Sequence, residues 1–249
     1  MATSTAAKVE RQSPIILIAS LGNPSSYDGT RHSIGHYSLQ KLISELNAES
    51  ANIGPFKCHQ VGESVDFHPI ESEIPPEGKK KKNPSGFKPL HKLSEIYLYR
   101  IPGYMNNSGK SLNPFYKEFI NYCSSKGREP ITVLLHDELE IPLAKVKVRK
   151  QGAAHKGHNG LRDIQAVIGK KYTGIQLGIG REYKGDKNDD GVVCEYVLSK
   201  FTPEQKDKID SEAWWGELDW QSKGKGRNEG LRQVIRDIRF GKYIYDVNK

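Results

Sequence analysis

The sequence predicts an α/β protein, a single three-layer globule in which helices flank a mixed central β-sheet. Short apolar runs of strand length alternate with segments whose apolar residues recur at helical spacing. The 249 residues are enough to bury a core without covalent cross-links. Three cysteines without CxxC spacing favour a reducing, intracellular compartment over a disulfide framework or a structural zinc site. No apolar run approaches the roughly 20 residues that span a bilayer, so no membrane partner is expected.

Five segments are predicted to form strands. Residues 15–19 and 131–135 are short apolar runs typical of buried strands, and residues 95–101 end at a Pro-Gly turn. Residues 145–149 alternate between basic and apolar side chains, which predicts a half-exposed strand with a basic outer face. Residues 175–180 form the last predicted strand.

Helices are predicted between these strands. Apolar residues spaced three or four apart indicate a helix after residues 31–33, a second around residues 112–119 and a third over residues 159–168. Two further helices are predicted near the C-terminus, over residues 203–220 and 229–240.

The remaining segments define the domain organisation. Residues 1–13 are small and polar and predict a disordered tail, whereas residues 14–249 form one domain. Residues 71–92, rich in Pro, Gly and Lys, are predicted to be a mobile surface insertion. The tail has no clear amphipathic pattern, so the sequence leaves open whether the protein acts in the cytoplasm or the mitochondrion.

The distribution of charge suggests a polyanionic partner. The chain has a formal net charge of +8, and residues 145–171 hold eight basic side chains against one acidic side chain. A run of four lysines occupies residues 79–82, whereas residues 203–222 carry six acids and two lysines. Dense local positive charge favours phosphate binding, although surface lysines can also serve solubility alone.

Polar residues collect where predicted strands end, which is where α/β proteins place their active sites. Each of them has an ordinary structural explanation when taken singly, as a turn residue, a helix N-cap or a buried histidine. The residues are Asn23, His32, Asn106, Asp137, His158 and Asn159.

Four motifs occur in order over about 140 residues: LGNP at 21–24 with TRH at 30–32, YMNNSG at 104–109, HDEL at 136–139 and GHNGL at 157–161. Together they resemble the bacterial-type peptidyl-tRNA hydrolase family over roughly residues 15–201. The resemblance implies a monomer that hydrolyses the ester between a peptide and the 3′ end of tRNA. This reaction recycles tRNA from stalled translation and uses no metal or other cofactor.

The resemblance also assigns roles to individual residues. It makes His32 the catalytic histidine and Asp137 its acidic partner, a pair suited to activating water near neutral pH. Asn donors stabilise a developing oxyanion and hold peptide carbonyls. The substrate-binding positions that the resemblance implies are Asn23, Tyr27, Met105, Asn106, His158 and Asn159.

The basic strand is the predicted site for the acceptor stem of tRNA. Lys145, Lys147 and Arg149 are expected on one face, and Lys150 extends that face. These four residues are called the basic stripe below. Lys156, Lys170 and Lys171 are candidates to extend this surface, although the sequence does not fix the direction of their side chains.

The chain departs from the family pattern near the site. Asn23 and His32 are one residue closer than usual, Ser33 stands where an Asn is usual, and the glycine-rich loop at 152–156 is altered. Two alternatives remain open. One is a metal hydrolase built on His136, Asp137, His155 and His158, and the other is a non-catalytic RNA-binding protein on the same fold.

Overall fold

The computed structural model describes residues 14–53, 59–61, 95–182, 186, 189–213, 230–231, 233–234 and 237. Within these residues six strands form one sheet: β1 (Ile15–Ser20), β2 (His59–Val61), β3 (Glu95–Arg100), β4 (Pro130–Glu138), β5 (Val146–Arg149) and β6 (Thr173–Gly178). The strand order is β2-β3-β1-β4-β6-β5. Every pair is parallel except β5 with β6, which confirms the predicted mixed sheet.

Helices cover both faces of the sheet. They are α1 (Ile34–Ile53), α2 (Ser108–Ser125), α3 (Asn159–Ile168), α4 (Asp190–Leu198) and α5 (Pro203–Lys208). Ile16 and Ile18 of β1 pack with α1 and α4, whereas Ile15 and Leu17 face α2 and α3. Because successive strand residues point to opposite faces, this split places the sheet between two helical layers. Among the described helices, none has the length and apolar content that a membrane span requires.

Several predicted boundaries were wrong. β4 continues through Glu138, because His136 and Asp137 still pair with β6. β6 starts at Thr173 and ends at Gly178, two residues earlier than predicted at each end; its first residue pairs with the buried Val133 of β4.

The C-terminal predictions fare differently. The helix predicted over residues 203–220 begins as expected: α5 starts after a capping box at Thr202, runs to Lys208 and continues as a π-helical turn over Ile209–Ala213. In the predicted helix 229–240, residues 231, 233, 234 and 237 are helical. Residues 1–13, 71–92 and 214–220 lie outside the described residues, so the tail and the insertion stay predictions.

The topology brings three loops together at one edge of the sheet. β1 lies between β3 and β4, and all three strands run in the same direction. Their carboxyl ends therefore meet at a point where the strand order reverses, which is the usual binding position in an open α/β sheet. The loops that follow β1, β3 and β4 converge there.

Candidate active site

The loop after β1 carries His32 in a short 3-10 turn, Arg31–Ser33, and its neighbour Arg31 anchors that turn. Arg31 is 7% exposed, and its Nη1 donates to the Ser199 hydroxyl at 2.6 Å. Its guanidinium lies 4.5 Å from the ring centre of Tyr196 and 5.2 Å from that of Phe201. Cation–π contacts and hydrogen bonds thus fix the backbone beside His32 to the end of α4 and the segment that follows it.

His32 is oriented by Asp137 at the end of β4. His32 Nδ1 lies 2.9 Å from both carboxylate oxygens of Asp137, which is 3% exposed. Burial lowers the pKa of His32, but the charge and hydrogen bond of Asp137 outweigh burial and raise the pKa above 6.5. The ring therefore donates from Nδ1 and keeps Nε2 available as an acceptor.

The same carboxylate also orients His158. His158 caps α3, and its Nδ1 accepts the Leu161 amide proton at 3.3 Å. Its Nε2 therefore carries the proton and donates to Asp137 Oδ1 at 3.0 Å. Burial raises the pKa of Asp137, but the charges and hydrogen bonds of His32 and His158 together hold it well below its ordinary value. Asp137 is therefore a buried carboxylate that fixes two imidazole rings.

Asn23 is held so that its amide group faces the cleft. Its Oδ1 accepts the Met105 amide proton at 3.0 Å, which ties the loop after β1 to the loop after β3. Its own backbone N–H donates to Ser33 Oγ at 3.1 Å. The Ser33 hydroxyl is thus a polar contact within the loop, although the family pattern has Asn at this position. The side-chain NH₂ of Asn23 is left to donate to a substrate.

These side chains line a cleft of about 1020 Å³. Asn106 and Asn159 lie exposed on its wall, and Tyr27 packs edge-on against Tyr104 with ring centres 6.2 Å apart. The structure brings together all eight predicted catalytic and substrate-binding residues: Asn23, Tyr27, His32, Met105, Asn106, Asp137, His158 and Asn159.

Sequence reasoning missed several cleft residues. Tyr104, within the YMNNSG motif, is 58% exposed and lines the cleft. The sequence does not indicate whether this aromatic ring is buried in the core or exposed to a ligand. Lys156, a candidate extension of the basic stripe, lines the cleft instead, together with Arg162 of the same basic segment. Lys156 holds a left-handed backbone with φ of +48°, which is uncommon for a residue other than glycine. Arg181 also lines the cleft and pairs with Glu140 at 2.5 Å.

The basic stripe lies outside the residues that line the cleft. The predicted alternation holds, since Val146 is buried, Val148 packs on the core and Lys147 is exposed. Lys145 is half-buried and Lys150 is exposed. Arg149, however, uses its Nη2 to donate to the Ala154 carbonyl and so stabilises the loop that leads to His158.

Among the described residues, one cluster could offer ligands to a metal ion, namely His32, Asp137 and His158, whose ligand atoms lie within 4.8 Å of one another. Both imidazole nitrogens that face Asp137 are at hydrogen-bonding distance, so an ion would have to displace two protons. His136, part of the proposed metal set, instead donates from Nδ1 to the Asp137 carbonyl at 2.8 Å. Burial first, and then the charge of His158, lower its pKa to about 3.

The fold and the cleft define an α/β protein with a histidine–aspartate pair suited to hydrolysis. The sequence profile of the family described as "Peptidyl-tRNA hydrolase" matches residues 17–215. The chain therefore belongs to the peptidyl-tRNA hydrolase family.

Individual relatives agree. The chain is 33% identical over 204 residues to the peptidyl-tRNA hydrolase of Methylocella silvestris, covering 82% of this chain and 81% of that protein. It is 32% identical over 206 residues to the probable peptidyl-tRNA hydrolase of Schizosaccharomyces pombe, covering 82% and 80% respectively. The crystal structure of peptidyl-tRNA hydrolase from Acinetobacter baumannii aligns with a TM-score of 0.50 and 26% identity, over 80% of this chain and 83% of that one.

The predicted activity is thus confirmed. The protein is a hydrolase that cleaves the ester between a peptide and the 3′ end of tRNA, and its substrate is peptidyl-tRNA. The comparisons give no support to the non-catalytic RNA-binding alternative.

Proposed function

We propose that His32 is the general base of this ester hydrolysis. The observation that carries the proposal is the His32–Asp137 contact, which occupies Nδ1 and leaves Nε2 as the basic nitrogen at the cleft. Nε2 takes a proton from water as the water oxygen bonds to the ester carbonyl carbon. The tetrahedral intermediate then collapses, and the released ribose oxygen receives the proton from the imidazolium. Asp137 stabilises the imidazolium in between.

The amide side chains hold the reacting ester and the peptide. Asn23 is the oxyanion donor in this proposal, because the Met105 N–H holds its carbonyl oxygen and so turns its NH₂ group, the donor of the amide, toward the cleft. One well-placed donor of this kind contributes about 3 kcal/mol to the transition state. Asn106 and Asn159, exposed on the cleft wall, bind peptide carbonyls and amides or share the oxyanion.

The 3′ end of tRNA binds beside these groups. Tyr104 offers an exposed aromatic face on which a terminal base stacks, and Tyr27 braces that ring edge-on. Lys156 and Arg162 add positive charge to the cleft for the neighbouring phosphates. The acceptor stem then extends toward the exposed lysines of the basic stripe.

The protein acts as a monomer in this proposal, because one chain supplies every side chain that the mechanism uses. Its place of action is the cytoplasm or the mitochondrion, since peptidyl-tRNA is made where ribosomes translate.

Metal removal tests the proposed chemistry against the metal-hydrolase alternative. Treatment with a chelator selective for transition metals is expected to leave kcat/KM for N-acetyl-aminoacyl-tRNA unchanged, because protons occupy the positions between Asp137 and the two histidines. Mg²⁺ is kept at a constant concentration so that the tRNA stays folded. A loss of activity that Zn²⁺ restores would contradict the proposal.

The salt dependence of binding tests the basic stripe. Lys147→Ala combined with Lys150→Ala removes two exposed charges and leaves Arg149 to hold its loop. We expect weaker binding of different tRNAs to a similar extent, with the slope of log affinity against log salt lower by about 0.7–0.9 for each lost phosphate contact.

The matched control is Lys206→Ala with Lys208→Ala, which removes the same charge from exposed positions of α5. This control should keep the wild-type slope, as measured by filter binding over a range of KCl concentrations. An unchanged slope in the stripe variant would show that the basic stripe is only a solvated surface.

A further inference from the structure

The N-terminus of α2 is capped by a residue of another helix. Asn107, at the N-cap position, makes no capping hydrogen bond with its own side chain. Instead the backbone N–H groups of Gly109 and Lys110 donate to one oxygen of Asp163 in α3, at 2.7 Å and 3.0 Å. These are the amides that an N-cap side chain ordinarily binds. The negative charge of the carboxylate is also stabilised by the positive end of the helix dipole.

The contact between the two helices leaves little freedom. A Cβ atom on Gly109 would lie 2.2 Å from the Asp163 carbonyl oxygen, and one on Gly160 would lie 2.4 Å from Met105 Sδ. The backbone of Gly109 therefore packs directly on the backbone of α3, and the backbone of Gly160 packs on the Met105 side chain. The relative position of the start of α2 and the first turns of α3 is set by these contacts together with the Asp163 cap.

Each of the two helices that meet at this contact carries a cleft asparagine at or just before its N-terminus. Asn106 lies three residues before Gly109, in the 3-10 turn that runs into α2. Asn159 lies four residues before Asp163, so both are on the same face of α3. His158, held by Asp137 and capping α3, fixes that helix independently. Asn106 is held on one side through the Met105 N–H bond to Asn23 and on the other by the Asp163 cap, so loss of the cap would shift Asn106 more than Asn159.

We propose that Asp163 is a positioning residue that sets the distance between Asn106 and Asn159. This inference rests on the substrate-binding roles proposed above for the two asparagines. Since misplacing a reacting or binding group by about 1 Å can cost about 100-fold, loss of the cap is a rate effect as well as a stability effect.

The experiment measures kcat/KM and Tm for variants at Asp163. Asp163→Ala is expected to lower kcat/KM about tenfold, by partial misplacement of Asn106. Asp163→Asn should restore kcat/KM to within about twofold of wild type, because a single amide oxygen can accept both N–H groups. Asp163→Glu keeps an acceptor but lengthens the side chain, so it should lower kcat/KM while retaining most of the Tm.

A double-mutant cycle separates positioning from general destabilisation. In an Asn106→Ala background, Asp163→Ala should cause no further loss, because the group that it misplaces is gone. In an Asn159→Ala background the loss should persist. Tyr37→Phe, which removes a hydrogen bond to Asp210 where α1 meets the turn after α5, is the control for lost stability and should keep wild-type kcat/KM.

The outcomes distinguish this inference from the proposed function. If Asn106→Ala keeps the wild-type kcat/KM, the proposed role of Asn106 is wrong, and the Asp163 inference falls with it. If Asn106→Ala is slow but Asp163→Ala is at the wild-type rate, or slows both backgrounds equally, the Asp163 inference alone is overturned. Should Asp163→Ala fail to fold, Asp163→Glu carries the same cycle, with the same two outcomes.

Discussion

Replacing His32 with alanine is expected to lower the rate of the chemical step by about 10²–10⁴-fold, the usual contribution of a positioned general base. The phosphate contacts of the tRNA do not pass through the imidazole, so affinity for uncharged tRNA should stay near that of wild type. Single-turnover hydrolysis of N-acetyl-aminoacyl-tRNA at saturating enzyme gives the chemical rate, and filter binding gives the affinity.

Chemical rescue provides the control for this variant. His32→Ala leaves space beside Asp137, and added imidazole can enter it as a free base. Activity should therefore return in part, in proportion to the unprotonated imidazole present. A general base usually contributes at least about 100-fold to the rate. A variant that keeps more than about a tenth of the wild-type rate would therefore show that His32 is not the general base.

The residues that the resemblance named meet in one cleft because they lie in contiguous motifs close to the ends of strands. Asn23 follows β1 and Asp137 ends β4, and parallel strands bring such positions to one edge whatever loops separate them. His32 lies in the 3-10 turn before α1, and His158 lies at the N-cap of α3. Both positions are close to the ends of those strands. Order along the chain was therefore enough to predict their proximity.

Contacts between distant segments could not be predicted from the sequence. The Asp163 cap depends on the packing of α3 against α2, and no local pattern around Asp163 indicates it. Arg149 fits the alternation of an exposed basic strand, yet its guanidinium is used within the protein, on Ala154. Side-chain partners that depend on the final packing, rather than on local periodicity, decide both cases.

Strand boundaries were the hardest feature to predict where pairing, and not side-chain pattern, decides where a strand ends. The apolar pattern of β4 ends at Leu135, but pairing with β6 extends the strand to Glu138. A backbone ladder continues as long as its partner strand does, independent of side-chain polarity. For this reason Asp137 is held by the sheet itself, which gives the carboxylate a more rigid position than a loop would.

Replacing Asp137 with asparagine should lower kcat at neutral pH by about 10–100-fold, less than the loss of His32 itself. The amide removes the negative charge that stabilises the imidazolium. It also presents an NH₂ group where two imidazole N–H donors now converge. One ring must then turn away or change its tautomer, which misorients the general base.

The pH dependence of this variant gives the sharper test. His32 must be neutral to act, so wild-type kcat/KM should fall as the pH drops through the raised pKa of His32, above 6.5. Asp137→Asn removes the negative charge, which is the larger of the two effects that raise this pKa, whereas burial, which lowers the pKa, remains. The acidic limb should therefore move to lower pH, so that the variant loses proportionally less activity than wild type on acidification. An acidic limb at the wild-type pH, with kcat unchanged, would assign Asp137 a purely structural role.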